Sequence, residues 1–332
     1  MKKITGYILV FLLLFTITFT GCNQRKKQDI AKFNIVCTIF PQYDWVQQII
    51  GNKKDNFNLT LLLNNRIDLH NYQPSVDDII KISNCDLFIY VGGESDEWVN
   101  NVLEQASNPN MITINLLEIL GDRAKYEVHH NEITHTEDDD HHDQHLHDDD
   151  HDHDHYDEHV WLSLRNAITF CPVIANTLSS FDAENSNFYH NNMASYIGNL
   201  AALDLEYKNA VKSSQLNTLL FADRFPFLYL VNDYNINYYA AFSGCSAETE
   251  ASFETIIFLA KKLDELDLHT VMVTESAEQS IARTVISSTS GKNQKILVLD
   301  AMQSVTSRDA ENGTTYISVM EKNLSVLKEA LK

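Results

Sequence analysis

A chain of 332 residues, 44% of them hydrophobic, has room for two ordinary domains, each with a normal core. Its formal net charge of −21 argues against nucleic acid as a partner and for cations. Fourteen of its acids fall in the stretch from Glu127 to Glu158, and without them the balance is an unremarkable −7, so the acidity belongs mainly to one segment.

The first twenty residues carry Lys2 and Lys3 and then the apolar run YILVFLLLFTITF. The run is too short and wrongly flanked for a membrane-spanning helix and reads as a secretory signal. It ends in Phe19-Thr20-Gly21-Cys22, which is similar to the bacterial lipoprotein signal, although Phe19 and Thr20 depart from the usual Leu and Ala/Ser. That similarity implies residues 1–22 as a signal peptide, with lipidation of Cys22 as the mature N-terminus. Residues 23–32 are polar and read as a tether. The expected location is extracytoplasmic, anchored to the cell membrane by lipid. The other cysteines, Cys37, Cys85, Cys171 and Cys245, are scattered without a CxxC pair, which argues against a cysteine zinc finger and favours small buried thiols.

From Phe33 the chain alternates between short β-rich runs and helical patterns. Candidate strands are Asn34–Thr38, Leu59–Leu63, Leu87–Val91 and Met111–Asn115, with helical segments near Tyr43–Ile50, Val76–Ser83 and Glu97–Ala106. Gly51 fits a helix stop, and Ser75 with Asp78 three residues on fits a capping box after Pro74. The second half repeats the pattern: strands Thr218–Ala222, Tyr238–Ala241, Thr270–Thr274 and Ile296–Leu299, and helices near Phe227–Tyr234, Phe253–Leu266, Ser280–Ser288 and Tyr316–Leu331. Such alternation predicts parallel sheets covered by helices. Between the halves, Tyr189, Met193, Tyr196, Leu200, Leu203, Tyr207 and Ala210 recur in steps of four and three, one face of a helix over about Ala183–Lys212. The fold class is therefore α/β, with two strand–helix (Rossmann-like) lobes, residues 33–182 and 214–332, joined by a long rigid helix at 183–213.

Residues 127–158 lie within the first lobe and show no apolar periodicity, so they read as a solvated loop. Ten histidines stand there among the acids: His129, His130, His135, His141, His142, His145, His147, His151, His153 and His155. Neutral imidazole suits zinc, copper and nickel, so the loop reads as an auxiliary metal-collecting segment rather than a plain acidic spacer.

Three patches flank the loop and the long helix. Asp68-Leu69-His70-Asn71-Tyr72-Gln73-Pro74-Ser75 follows a strand; Asp157-Glu158-His159-Val160-Trp161-Leu162 precedes a helix beginning near Ser163; Thr274-Glu275-Ser276 ends a strand. Ligands of open parallel sheets gather at the carboxyl ends of strands, which makes His70, Glu275 and also Asp223 candidates beside His159. Two imidazoles and two carboxylates form a ligand set for Zn²⁺ or Mn²⁺. Singly these residues have plainer readings: Asp223 beside Arg224 fits an ion pair, and Glu275 fits a helix cap.

Together, in this order, the patches resemble the metal-specific solute-binding proteins of bacterial ABC importers, the zinc and manganese family. That family carries Asp-Pro-His-x-Tyr-x-Pro-Ser, here with Leu69 for proline, and Asp-Pro-His-Val-Trp-Leu, here with Glu158 for proline. Its zinc-specific members place a His/Asp/Glu-rich loop between the two histidines. The resemblance covers essentially the whole mature chain. It implies two lobes joined by a stiff helix, a metal held in the cleft between them, and delivery of that metal to a permease, with no bond made or broken. Many zinc members have a third histidine in His-x-Ala-Phe-x-Tyr. Counting back from Tyr229 by that spacing reaches Arg224, which cannot ligate a cation, and one extra residue reaches Asp223. Asp223 is taken as the ligand, with Cys245, Glu248 and Glu250 as rivals.

The expected function is a zinc-binding lipoprotein that feeds an ABC importer, monomeric and not an enzyme. A manganese carrier of the same class and an extracellular metal buffer or adhesin are the alternatives. A metalloenzyme would need a general base beside an open metal position, and neither HExxH nor GxSxG is present.

Overall fold

The computed structural model describes residues 32–127, 155–244 and 251–332. Cys22, Cys245, Glu248, Glu250 and every loop histidine except His155 lie outside the described residues.

The chain builds two four-stranded parallel sheets. β1 (Phe33–Cys37), α1 (Phe40–Ile50), β2 (Phe57–Leu61), α2 (Val76–Ser83), β3 (Leu87–Tyr90), α3 (Trp98–Glu104), β4 (Ile112–Asn115) and α4 (Leu116–Leu120) form the first lobe. α5 (Leu164–Phe181) and α6 (Ser186–Lys212) follow. The second lobe holds β5 (Thr218–Phe225), α7 (Leu228–Tyr234), β6 (Asn237–Ser243), α8 (Phe253–Glu265), β7 (Thr270–Thr274), α9 (Ser280–Ser288), β8 (Lys295–Leu299), α10 (Ser307–Glu311) and α11 (Tyr316–Ala330). The strand orders are β2-β1-β3-β4 and β6-β5-β7-β8, the same order used twice. In each sheet the direction of winding reverses beside the first strand, and the crevice at the strand ends there is where ligands of such sheets bind.

Local sequence accounts for the element ends. Gly51 closes α1 at φ +50°, a conformation open to glycine at little cost. Ser75 caps α2: its Oγ accepts from Asp78 N at 3.2 Å, and the Asp78 carboxylate accepts from Ser75 N at 3.1 Å. Ile35–Cys37 of β1 and Leu87–Ile89 of β3 are buried hydrophobic runs, as strands covered on both faces must be.

The 27-residue α6, about 40 Å long at 1.5 Å per residue, lies against α1, α5 and α11. Its buried side chains are Tyr189, Tyr196, Leu200, Leu203 and Tyr207, with Met193 and Ala210 half-buried on the same stripe. Tyr207 Oη donates to Met320 O of α11 at 2.6 Å, and Tyr196 Oη reaches Asp44 of α1 at 3.4 Å. One continuous core runs from the first sheet through α5 and α6 to α11, while a second, smaller core lies under α8 and α9. Within the larger core Asp44 Oδ2 accepts from Tyr316 N at 2.9 Å, Tyr316 Oη donates to Trp161 O at 2.8 Å, and Trp161 Nε1 donates to Ala301 O at 2.9 Å. Cys37, Cys85 and Cys171 are free and buried.

Candidate metal centre

Two turns of one design place the two histidines. In Asp68-Leu69-His70, Asp68 Oδ1 accepts from His70 N at 3.1 Å; in Asp157-Glu158-His159, Asp157 Oδ1 accepts from His159 N at 2.8 Å. An aspartate that bonds the backbone two residues on fixes a tight local turn, and here it aims the histidine that follows. His159 is fully buried and His70 is half-buried.

The two imidazoles meet edge to edge, with His70 Nε2 and His159 Nε2 3.2 Å apart. Each Nδ1 is engaged from behind: His70 Nδ1 with Ser95 Oγ at 2.7 Å, and His159 Nδ1 with Asp157 Oδ1 at 3.1 Å. Protons held at Nδ1 leave both Nε2 lone pairs for a ligand, which is how carboxylates and hydroxyls orient metal-binding histidines. Two nitrogens on a tetrahedral zinc stand about 3.3 Å apart at ordinary bond lengths. The pair therefore has the span and the donor chemistry of two zinc ligands.

Charge is unevenly shared. Burial opposes a proton on either ring, but the Asp157 carboxylate wins at His159 and raises its pKa. His70, desolvated and facing His159, is pushed down to about 3. The Asp157 carboxylate therefore favours charge on His159, while burial and the facing ring favour a neutral His70.

Glu158 supports the same structure. Its Oε1 accepts from Ser95 N at 2.7 Å, and its Oε2 lies 3.5 Å from His70 Nδ1. A Cβ on Gly93, whose φ is +83°, would collide with the Glu158 carboxylate and stand 2.8 Å from its Cγ, so glycine suits the turn after β3 that passes beneath this side chain. Burial raises the Glu158 pKa to about 7.

That turn is held by Asp96, whose Oδ2 accepts from Val91 N and Gly92 N, both at 2.9 Å. Burial pushes the carboxyl up to about 6. A pKa raised above its unfolded value contributes stability that is fully present below about pH 4 and lost as pH rises through about 6. The metal-free protein should therefore lose on the order of 3 kcal/mol relative to Asp96→Asn between pH 4 and 7. Urea unfolding at both pH values checks this, and parallel pH profiles would refute it.

Of the four residues taken as ligands, the structure brings His70 and His159 together. Asp223 and Glu275 stand at the β5 and β7 strand ends but carry other bonds. Asp223 Oδ2 accepts from Thr274 N at 2.9 Å and from Thr274 Oγ1 at 2.5 Å, tying β5 to β7. Glu275 accepts from Ala301 N at 2.8 Å and Gln303 N at 3.0 Å. Burial, with Asp300 nearby, raises its pKa. Among the described residues no group of three or more His, Cys, Asp or Glu side chains forms a metal cage.

Two further residues reach the pair, and a third reaches Asp68 beside it. Gln303 Nε2 lies 3.1 Å from His159 Nε2, Ser95 holds His70, and Arg224 Nη2 pairs with Asp68 Oδ2 at 2.8 Å. Arg224 is delivered by a bulge: Phe221 pairs with Ala240 and Arg224 with Phe242, so β5 carries one residue more than β6 between the two pairs. Gly244, beyond β6, packs on His159, with its would-be Cβ 3.2 Å from the ring.

The His-rich segment leaves and re-enters the fold beside this centre. Tyr126 and Tyr156 form an antiparallel bridge with stacked rings, and Glu127 N donates to His155 O at 2.8 Å. Tyr229 Oη, from α7, accepts from Lys125 N and donates to Asp157 O, both at 3.0 Å. His155 Nδ1 lies 3.6 Å from Glu94.

The family model described as zinc-uptake complex component A, periplasmic (ZnuA), matches residues 35–330. The chain belongs to this family. It is 30% identical over 332 residues to the zinc-binding lipoprotein AdcA of Streptococcus pneumoniae serotype 4, covering 99% of this chain and 61% of that protein. It thus spans about three-fifths of the length of such relatives. The high-affinity zinc uptake system protein ZnuA of Bacillus subtilis is 25% identical, with 99% of this chain and 98% of that protein covered. The Zn(II)-bound ZnuA-like domain of S. pneumoniae AdcA superimposes with a TM-score of 0.68 at 28% identity, over 91% of this chain and 99% of that domain. The B. subtilis metal-dependent lipoprotein YcdH shares the fold, with a TM-score of 0.71 at 23% identity, over 90% and 99%. The two parallel-sheet α/β lobes expected from the strand–helix alternation are those of ZnuA-like structures.

Proposed function

We propose that this protein captures Zn²⁺ outside the cytoplasm, in the cleft between its lobes, and delivers it to an ABC-type permease without chemical change. The observation that carries the reading is the facing pair of Nε2 atoms, 3.2 Å apart with both Nδ1 positions engaged. Two neutral imidazoles favour zinc over the harder manganese ion, and relatives of similar sequence are named for zinc. His70 and His159 are the assigned ligands. Asp223 and Glu275, at neighbouring strand ends, are the carboxylates available to complete the set, each by exchanging a bond it now makes. The protein is read as a monomeric carrier and not an enzyme. Cys22 is read as its lipid anchor, and the loop histidines are read as weaker sites that raise metal concentration at the cleft.

The test compares zinc content and affinity of the full chain with a variant in which residues 128–154 are replaced by a short glycine turn, leaving the Tyr126–Tyr156 neck in place. One tightly held zinc in both is the expected result. Loss of the tight site with the segment would place binding there and favour a metal buffer. A preference for manganese would keep the carrier and change its cargo.

A further inference from the structure

Asp68 faces two ways. Its Oδ1 accepts from His70 N and lies 3.9 Å from His70 Nε2, while its Oδ2 pairs with Arg224 Nη2 at 2.8 Å. Arg224 comes from the bulged end of β5 and Asp68 from the stretch after β2, so the pair joins the two lobes across the cleft. The guanidinium therefore stands one carboxylate away from the imidazole nitrogens. Its side chain is 24% exposed and that of Asp68 is 13% exposed, so water screens their charges only in part. A guanidinium has no lone pair to offer a metal and keeps its proton throughout the physiological range.

These facts bear directly on an ion placed between the histidines. It would meet a fixed charge of its own sign. It would also compete with that charge for the Asp68 carboxylate, the acidic oxygen standing beside His70 Nε2. We propose that Arg224 is the residue that sets how firmly this centre holds its metal: by retaining Asp68 and adding a fixed positive charge, it lowers affinity and speeds release. The inference rests on the cleft reading above, with His70 and His159 as ligands. Arg224 itself touches no metal; it acts through charge and through Asp68.

The test measures zinc affinity by chelator competition, and dissociation rate by chelator chase, in the full chain and in Arg224→Gln, Arg224→His and Arg224→Lys. Arg224→Gln should bind at least tenfold tighter, with most of the gain in slower dissociation, and Arg224→His tighter still, because it offers a third imidazole. Arg224→Lys keeps the charge and should stay near the parent. The gap between parent and Arg224→Gln should shrink as salt rises from about 0.01 M to about 1 M, as a through-space charge effect must and a packing effect need not. Thermal melting of each variant verifies the fold. Folded Gln and His variants that bind zinc no more tightly than the parent would overturn the proposal. So would a gain shared by Arg224→Lys. A parent whose tight zinc survives loss of both histidines would instead sink the cleft reading.

Discussion

Replacing His159 with alanine should remove the tight zinc site, weakening affinity by about 100-fold or more. Loss of a group that merely orients a metal-binding histidine typically costs 10- to 100-fold, and loss of the histidine costs more. His70→Ala should act alike, because neither Nε2 has an equivalent donor behind it. Asp157→Asn should be milder, roughly tenfold, because His159 would keep its ring but lose the carboxylate that fixes its Nδ1 proton. Acidification should weaken binding in the parent, because both imidazoles must be neutral to coordinate and the Asp157 carboxylate raises the His159 pKa above the usual histidine value. Competition titrations from pH 8 to about 5 read all of this. Unchanged tight binding in both alanine variants would defeat the site assignment.

Trp161→Ala should destabilise the metal-free protein by about 3–5 kcal/mol, the range for deleting a large buried aromatic ring. Trp161 is 1% exposed and lies two residues after His159, with ring centroids 5.2 Å apart. It bonds both ways across the molecule, giving its indole N–H to Ala301 O and receiving Tyr316 Oη at its carbonyl. The alanine variant opens a cavity and leaves Ala301 O without that donor, two separate losses. Trp161→Phe retains much of the volume and should cost less than half as much. Because Ala301 N and Gln303 N hold Glu275, the alanine change should also loosen that carboxylate and weaken zinc binding modestly. Urea unfolding with and without zinc separates the two effects. A loss under about 1 kcal/mol would mean that the lobes do not depend on this contact.

Much of this was legible in the sequence because the signals were local and repeated. The candidate runs Thr270–Thr274, Val76–Ser83 and Ser280–Ser288 coincide with β7, α2 and α9, and the other named strands differ by a few residues at their ends. The four-and-three stripe from Tyr189 to Ala210 is the buried face of α6, although its helix begins at Ser186 rather than Ala183. The Asp-x-His spacing at 68–70 and 157–159 reports a turn that one carboxylate can make alone. What was not legible depends on distant partners. A bulge in β5 exists only relative to β6, so counting back from Tyr229 along one strand could not choose between Asp223 and Arg224, and the Arg224–Asp68 pair had no sequence signal. Gln303 approaches His159 from a short connection after β8 that carries no motif, and Ser95 meets His70 only because β3 lies two strands from β2. The short helices α4 and α10, five residues each, have too few turns to show a period.

The neck formed by Tyr126 and Tyr156 separates the length of the His-rich segment from the stability of the lobe. The lobe holds both feet: the two tyrosine rings stack with centroids 4.5 Å apart, and Tyr229 bonds the flanking backbone on each side. Any flexible insert between feet fixed in this way adds closure entropy only logarithmically, about 0.6 kcal/mol for each doubling. Histidines can thus be gained or lost there in blocks at almost no thermodynamic penalty to the fold. The returning chain reaches His159 only three residues after Tyr156. Under the proposed function, the metal-gathering segment and the metal-binding cleft would then be free to change separately.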